Sequence, residues 1–298
     1  MIGSREFASE AKQRPYSTRA DLAECRRLHR RFGTSYFFST RFFPAELRRR
    51  THALYGFVRV ADEYADDLAA SRDQRSKALA EFRAEFLRGM EGVRPASPVL
   101  RAFCDVVAER RIPLEEPLRF LDAMASDFDV ANYSSYGELR RYMRGSAVAV
   151  AFMMCHILNA RLDPEVAAGA QSLAEAMQLT NFLRDVGEDL DRGRVYIPIE
   201  DLESFGLSLQ DVSSRQVSPS FKRLMQFEIA RARALYAEAN RTIGLLPPNA
   251  QKPVRLASRL YSKTLDHIEA NGHDVFTKRA RTSRLEKVRL ALPILLRD

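Results

Sequence analysis

Apolar residues recur at spacings of three and four along most of the chain, the spacing that places side chains on one face of an α-helix. Asp21 can cap a first helix, Pro44 fits the first turn of another, and Asp163-Pro164 opens a third. No run of alternating β-branched residues is long enough for a sheet. The pattern therefore predicts an all-α protein. The predicted helices are 21–32, 44–70, 72–90, 97–111, 113–130, 134–160, 163–191, 218–243, 249–271 and 283–296.

The start of the chain lacks this periodicity, so we predict an irregular N-terminal lead over 1–19 and a folded region over 20–298. Hydrophobic residues make up 46% of the 298 residues, which is enough for one large domain or two small ones. The longest strongly apolar run, 147–158, is too short to cross a bilayer.

Charge and cysteine content narrow the partners and the compartment. The net charge of +8 suits an anionic partner, which could be nucleic acid, an acidic membrane surface or a diphosphate substrate. Cys25, Cys104 and Cys155 are far apart and lack a zinc-binding spacing. Sparse cysteines, and charges from Arg5 onward without an apolar signal segment, favour a soluble cytoplasmic protein that could still touch a membrane.

Two pairs of aspartates carry the most specific chemistry. Asp62 and Asp66 are four residues apart, as are Asp185 and Asp189, so each pair shares one helix face at a separation of roughly 6 Å. Like charges at this spacing destabilise a helix, so the placement needs a compensating reason. Mg²⁺ supplies one, because it binds through one or two carboxylates together with phosphate oxygens. The alternative is that the acids are solvated or paired with nearby arginines.

Polar residues around the second pair follow the same geometry. Gln178, Asn181 and Asp185 step by three and four, so they share one face, and Asn181 could complete the coordination of a metal ion. Arg59 and Arg184 could clamp phosphate oxygens with their guanidinium groups, or pair with the neighbouring acids.

Apolar residues near these motifs suit a carbocation. An allylic diphosphate that ionises leaves a cation, which needs a dry, aromatic-lined cavity. Several aromatic and methionine residues near the motifs are candidates for its lining, and we expect only a minority of them to line it. Gly145 and the small residues after it allow either close helix packing or room for a long chain. The aromatic and methionine candidates are Phe37, Phe38, Phe42, Phe43, Tyr55, Phe57, Met143, Phe152, Met153 and Met154.

The chain resembles the squalene/phytoene synthase family over about residues 25–289. The stretch 34–44, TSYFFSTRFFP, is similar to the family's first signature, and 178–198, QLTNFLRDVGEDLDRGRVYIP, closely matches the second. The stretch 142–147, YMRGSA, resembles bacterial phytoene synthases more than squalene synthases.

The resemblance implies a fold, a reaction and a set of site residues. It implies a single-domain isoprenoid synthase bundle with a central cavity, where two prenyl diphosphates condense head to head through a cyclopropyl diphosphate. It implies Mg²⁺, with Mn²⁺ as an alternative, held by the four aspartates and Asn181. The other roles that it implies are substrate contacts for Ser35, Arg59, Gln178, Arg184 and Tyr196, and positions near the cationic centre for Tyr142 and Tyr261.

Three features depart from this pattern or extend it. Phe32 stands where many relatives have histidine, which could remove a phosphate contact. Ala151 stands where they often have glycine, which could narrow the tunnel. A basic group near the C-terminus, Lys278, Arg279 and Arg281, stands where relatives often place phosphate-binding charges.

Four functional hypotheses follow. The leading one is a phytoene synthase that uses two geranylgeranyl diphosphates without a reductant. The second is a squalene or dehydrosqualene synthase that uses two farnesyl diphosphates, with NADPH required only for squalene. The third is a non-catalytic scaffold of the same fold, and the fourth is a nucleic-acid binder, which the acidic motifs argue against. The sequence leaves the oligomeric state open. The pattern of 283–296 favours a helix that packs on the core, although it would also allow peripheral membrane contact.

Overall fold

The computed structural model describes residues 15–67 and 69–296, and these residues form fourteen α-helices. Within this part of the chain the one β-type pairing is an isolated bridge between Asn132 and Val195. The all-α prediction is therefore confirmed. The helices are α1 Arg19–Phe32, α2 Thr34–Thr40, α3 Ala45–Asp66, α4 Arg72–Met90, α5 Pro98–Arg110, α6 Glu115–Ser126, α7 Tyr136–Met143, α8 Ala149–Leu158, α9 Pro164–Asp191, α10 Ile199–Ser204, α11 Leu209–Ser213, α12 Pro219–Thr242, α13 Pro248–Ala270 and α14 Arg284–Leu295.

The first helix begins slightly before its predicted start. Thr18, and not Asp21, is the N-cap: its hydroxyl accepts a hydrogen bond from the Asp21 amide, while the Asp21 side chain bonds back to the Thr18 amide. This reciprocal arrangement is a capping box. Residues 15–18 are irregular, as predicted, whereas the rest of the predicted lead, 1–14, lies outside the described residues.

Three other element predictions are wrong in part. The helix predicted over 44–70 ends at Asp66, because Asp67 adopts an extended backbone conformation. The helix predicted over 134–160 is two helices joined by a π-helical turn at Arg144–Val148. The short helices α2, α10 and α11 were not predicted, since each is seven residues or fewer and shows too little periodicity.

The helices enclose two apolar cores. One core gathers α1, α3, α4, α5, α6 and α8 around Phe57, whose ring stacks on Phe103 at 4.1 Å. The other gathers α7, α9, α12 and α13 around buried residues such as Leu224 and Met225. Tyr142 packs against both cores. Among the described helices, none combines the length and the apolar character that a membrane span requires.

Candidate active site

An elongated cavity of about 290 Å³ lies between α2, α3, α8, α9, α12 and α13. Val166 and Asn181, fifteen residues apart on α9, both line it, so it extends about 22 Å along that helix. Most of the lining is aliphatic or aromatic, and the polar side chains include Gln178, Asn181 and Tyr261. The cavity is therefore a largely apolar tunnel, and the amides of Gln178 and Asn181 mark its polar end.

The first aspartate pair lies one turn beyond this polar end, in the last turn of α3. Val58 lines the cavity, and Asp62 follows it by four residues on the same helix. Arg59 donates a hydrogen bond to Asp62 at 2.7 Å. Asp66 accepts one from Arg194 at 2.7 Å. Both carboxylates of the pair thus face guanidinium groups.

The second pair occupies the corresponding position on α9. Asn181 lines the cavity, and Asp185 and Asp189 follow at four-residue intervals. Asp185 accepts hydrogen bonds from Arg184, with an Nε–Oδ1 distance of 2.8 Å, and forms an ion pair with Arg279 at 3.0 Å. The sequence-predicted acids and their arginines are therefore in contact.

Arg192 connects the two pairs. Its guanidinium lies 3.8 Å from Asp66 on α3 and 3.3 Å from Asp189 on α9. One side chain can reach both carboxylates only if the two helix ends face each other. The two aspartate motifs, 119 residues apart between Asp66 and Asp185, therefore share one site.

The electrostatics of this site favour a further cation. Burial and the negative charge of Asp66 raise the pKa of Asp62 to about 6. Burial and the charge of Asp185 raise the pKa of Asp189 to about 7. The arginines therefore leave the carboxylate charge incompletely compensated. Within 15–67 and 69–296, no three acidic, His or Cys side chains converge into a ready-made metal cage. This donor set fits Mg²⁺, which usually takes one or two carboxylates and completes its shell with phosphate oxygens and water.

Four aromatic rings lie beside the acidic mouth. Tyr196 stacks on Phe182 at a centroid distance of 4.0 Å, and Tyr142 lies 5.8 Å from Tyr196 and 5.4 Å from Tyr133. The phenols of Tyr142 and Tyr196 have pKa values well above the ordinary one, chiefly because they are buried. Neutral phenol rings stacked in this way can stabilise a nearby cation through their faces.

Two residues that the sequence analysis did not select join this cluster. Tyr142 donates a hydrogen bond to Asp127 at 3.0 Å, and burial raises the pKa of Asp127 to about 7. Arg194 donates to the backbone carbonyl of Asp127 and to Asp66, so it ties the aromatic cluster to the first aspartate pair. Arg194 stands five residues after Asp189 and could have been found from that position, whereas Asp127 belongs to no recognisable motif.

The remaining sequence-predicted residues divide between the cavity and its surroundings. Tyr261 lines the cavity, whereas Ser35 on α2 does not. Of the aromatic and methionine candidates, only Phe43, Tyr55 and Met154 line the cavity, as expected for a minority.

The two departures from the family pattern have clear structural places. The ring of Phe32 lies beneath the guanidinium of Arg59, with the centroid 4.1 Å from Cζ, so this residue supports Arg59 by a cation–π contact. Ala151 lines the cavity. In the basic group, Arg279 pairs with Asp185 and with Glu188 at 2.6 Å, whereas Lys278 and Arg281 are exposed.

Comparison with known proteins identifies the family of the chain. Residues 29–286 match the sequence model of the squalene/phytoene synthase family. The chain belongs to this family. It is 34% identical to the phytoene synthase of Cereibacter sphaeroides over 276 residues, which cover 90% of this chain and 78% of the relative. It is 34% identical to the 15-cis-phytoene synthase of a Synechocystis strain, over 91% of this chain and 82% of the relative.

Solved structures of the family share the fold. A squalene synthase, HpnC from Alicyclobacillus acidocaldarius, is 31% identical, with a TM-score of 0.77 over 86% of this chain and 95% of that one. A dehydrosqualene synthase in complex with a ligand is 26% identical, with a TM-score of 0.85 over 93% of this chain and 95% of that one. The all-α isoprenoid synthase fold is thereby established for this chain, as is its place among prenyl transferases that process prenyl diphosphates.

Proposed function

We propose that this protein condenses two molecules of geranylgeranyl diphosphate head to head to form phytoene. The observation that carries the proposal is the apolar tunnel that ends at two facing pairs of aspartates. A prenyl diphosphate has two matching parts, a long hydrocarbon chain and an anionic head that binds Mg²⁺. The relatives named as phytoene synthases support the choice of substrate.

The mouth of the tunnel would bind and ionise the diphosphates. Asp62, Asp66, Asn181, Asp185 and Asp189 are the residues that would hold Mg²⁺, with Mn²⁺ as an alternative. When bound, the metal neutralises the charge that develops on the leaving diphosphate. We assign the diphosphate contacts to Arg59, Arg184, Gln178, Tyr196 and Ser35, of which the two guanidinium groups offer paired donors to phosphate oxygens.

The reaction releases two diphosphates for each hydrocarbon. Loss of the first diphosphate gives an allylic cation, and the double bond of the second substrate attacks it. Loss of a proton closes a cyclopropyl ring. Loss of the second diphosphate then starts a rearrangement, which ends when another proton leaves. We assign Tyr142 and Tyr261 to positions near the cationic carbon, where neutral aromatic rings stabilise the cation and the apolar walls exclude water.

The length of the tunnel supports the C20 substrate. The cavity follows α9 for about 22 Å from Asn181 to Val166, which leaves room for a long extended chain. A C15 substrate remains the second candidate, because the dehydrosqualene synthase is structurally similar over nearly the full length of both chains. NADPH would be needed only if the product were squalene. We place the reaction in the cytoplasm, at a membrane surface.

The experiment is a product analysis. Purified protein is incubated with Mg²⁺ and either geranylgeranyl or farnesyl diphosphate, with and without NADPH, and the hydrocarbon is identified by mass spectrometry. We expect a C40 hydrocarbon from the C20 substrate without NADPH, and none from Asp62→Ala. A C30 product alone would assign the protein to the squalene branch. No product from either substrate, from folded protein, would favour the non-catalytic scaffold.

A further inference from the structure

The outer face of α14 carries an unusual share of the exposed apolar surface. Seven large hydrophobic side chains are exposed in the described residues, and four of them lie on α14 or on the residue after it. These four are Leu285, Val288, Leu292 and Leu296, spaced three, four and four residues apart. This spacing places them in one stripe along the helix, and we call it the α14 stripe.

Packing fixes the stripe on the outside of the molecule. Ala291 and Ile294, on the opposite side of α14, are buried against Leu256 and Leu260 of α13. Leu285 and Leu296 are 71% and 78% exposed. A core helix normally keeps such residues inward, so the helix is apolar both toward the protein and toward the surroundings.

The charges around the stripe have one sign. Arg284 and Arg289 are exposed and, by helical geometry, lie at the two edges of the stripe, and Arg281 is exposed just before the helix. Within this helix the one acidic residue is Glu286, which is half-buried and paired with His267 of α13 at 3.1 Å. The described part of this surface therefore combines apolar side chains with arginines, and α14 itself adds no exposed acid to it. An anionic lipid surface complements both features, since the acyl region accepts the leucines and the headgroups accept the arginines.

The stripe also leads to the inner end of the tunnel. Helix α14 runs antiparallel to α13, because its start pairs with His267 and its last turn accepts a hydrogen bond from Lys252 through the Leu295 carbonyl. Lys252 lies in the first turns of α13, and Leu245 and Leu246 come just before this helix begins at Pro248. Leu246 lines the tunnel, and Leu245 is one of the seven exposed hydrophobic residues. The tunnel end farthest from the aspartates thus lies near the last turn of α14, where the stripe ends at Leu296.

We infer that the α14 stripe, together with Leu245 and the flanking arginines, docks the protein on a bilayer that contains anionic lipids. Docking there would place the far end of the tunnel next to the hydrocarbon phase. This reason for docking rests on the proposed function, because a water-insoluble substrate chain and a C40 product need a route to lipid. The docking surface itself rests only on the exposed side chains and their charges.

The test is co-sedimentation of the purified full chain with vesicles. Vesicles of phosphatidylcholine with phosphatidylglycerol are compared with vesicles of phosphatidylcholine alone, at low and at high salt. We expect binding to the anionic vesicles that weakens with salt. The triple variant Leu285→Ser, Val288→Ser, Leu292→Ser should lower the affinity about tenfold or more, and Arg284→Gln with Arg289→Gln should remove most of the salt dependence. The matched control is Val93→Ser with Phe227→Ser, two exposed hydrophobic residues elsewhere, and it should bind as the unaltered protein does.

Three results would overturn the inference. The first is unchanged vesicle binding by the triple variant, and the second is an equal loss of binding in the control variant. The third is an unaltered protein that does not bind vesicles but forms a dimer, where the triple substitution breaks the dimer and the control substitution does not. Hydrocarbon formation from detergent-solubilised geranylgeranyl diphosphate is measured in parallel, and we expect the triple variant to retain it. A protein that binds vesicles but makes no hydrocarbon would contradict the proposed function and leave the docking surface intact.

Discussion

The aspartates at the mouth of the tunnel are held by arginines that could later serve the substrate. Arg59 contacts Asp62, Arg184 contacts Asp185, and Arg192 lies between the two pairs. A guanidinium fork binds a carboxylate or a phosphate with the same geometry. These arginines can therefore pair with the aspartates in the free protein and bind phosphate oxygens when substrate is present. Mutations can separate the two roles.

Replacing Asp189 by Asn should lower activity and raise stability. Under the proposed function Asp189 helps to hold Mg²⁺, and loss of its charge weakens transition-state stabilisation, so we expect turnover to fall about 10²-fold or more. Without Mg²⁺, the same change removes a buried charge beside Asp185, so the melting temperature should rise by about 2 °C. Activity assays and thermal unfolding in a chelating buffer measure both effects.

The matched control is Asp191→Asn. Asp191 lies two residues further along α9, where it is exposed and pairs with Arg215 at the surface. This variant should keep both its activity and its melting temperature. Equal effects of the two substitutions would contradict a specific role for Asp189.

Tyr142 and Asp127 should act as a unit. Tyr142 donates its hydroxyl hydrogen to Asp127, so Tyr142→Phe and Asp127→Asn remove the same interaction. We expect both single variants to be slower than the unaltered enzyme. The double variant should be less impaired than the product of the two effects, by about fivefold, which corresponds to about 1 kcal/mol of coupling. Turnover numbers of the four proteins give this value.

Tyr133 provides the control for this cycle. Its ring is in the same aromatic cluster, but its buried hydroxyl has no hydrogen-bond partner in the described part of the chain. The effects of Tyr133→Phe and Asp127→Asn on the activation free energy should therefore be additive in the double variant. If the effects of Tyr142→Phe and Asp127→Asn were also additive, the hydrogen bond between Tyr142 and Asp127 would not contribute to turnover.

The site residues differ in how far the sequence could predict them. The four aspartates were predictable because each pair repeats at a helical interval beside polar residues, and the arginines because they flank these pairs. Asp127 is a single acid near the end of a helix, and only the folded chain brings it to Tyr142, fifteen residues later. A contact of this kind leaves no periodic pattern.

The π-helical turn between α7 and α8 answers a question that the sequence left open. A Cβ atom built on Gly145 would lie 2.7 Å from the Ala123 Cβ and 2.9 Å from the Arg119 carbonyl oxygen of α6. Gly145 therefore allows close helix packing, whereas Ser146, Ala147 and Ala151 line the cavity. The two interpretations of these small residues, close helix packing and room for a long chain, therefore both hold, but for different residues.

Gly145→Ala should destabilise the protein. The neighbouring carbonyl oxygen belongs to the backbone and cannot move aside, so the added methyl group must displace a helix. We expect a loss of about 1–3 kcal/mol in the free energy of unfolding, measured by urea denaturation. Gly137→Ala is the control: its nearest neighbour would be the Ser135 side chain at 3.6 Å, and alanine favours helices, so its stability should be unchanged or higher. An unaffected Gly145→Ala would contradict the close packing.

Long helices were predictable and short ones were not. Helix α9 has a capping Asp163, a proline in its first turn and a break at Arg192, so its limits were visible in the sequence. Helix α2 has seven residues and no side-chain cap. It is held by tertiary contacts, since Phe38 on α2 packs against the small core between α13 and α14. Contacts with a segment more than two hundred residues away cannot be inferred from local spacing.

The tunnel depends on the arrangement of the helices around it. Its walls come from distant parts of the chain, because α2, α3 and α8 contribute to it together with α9, α12 and α13. The cavity therefore lies between helices of the two cores, which Tyr142 joins. Because α9 runs along the tunnel, a larger side chain at one position of this helix would shorten the space available to a substrate chain.

Ala170→Phe should shorten the tunnel and change the preferred substrate. Ala170 lines the cavity eleven residues before Asn181, about 16 Å along the helix. A phenyl ring at that depth would clash with the end of a C20 chain before that of a C15 chain. We expect the ratio of activity with geranylgeranyl diphosphate to activity with farnesyl diphosphate to fall about tenfold or more.

The control lies two residues earlier on the same helix. Ala168 is exposed and does not line the cavity, so Ala168→Phe should keep the ratio of the unaltered enzyme. Competition assays with both substrates in one tube give the ratio directly. An unchanged ratio in Ala170→Phe would mean that the substrate chain does not lie along α9.

The most direct measurement uses two isotopic forms of one substrate. The enzyme is given Mg²⁺ and an equal mixture of unlabelled and fully deuterated geranylgeranyl diphosphate, and the C40 hydrocarbon is analysed by mass spectrometry. Because each product joins two substrate molecules, we expect light, mixed and heavy products, with the mixed form the most abundant. C20 hydrocarbons in only the light and heavy forms, each built from one substrate molecule, would contradict head-to-head condensation at this site.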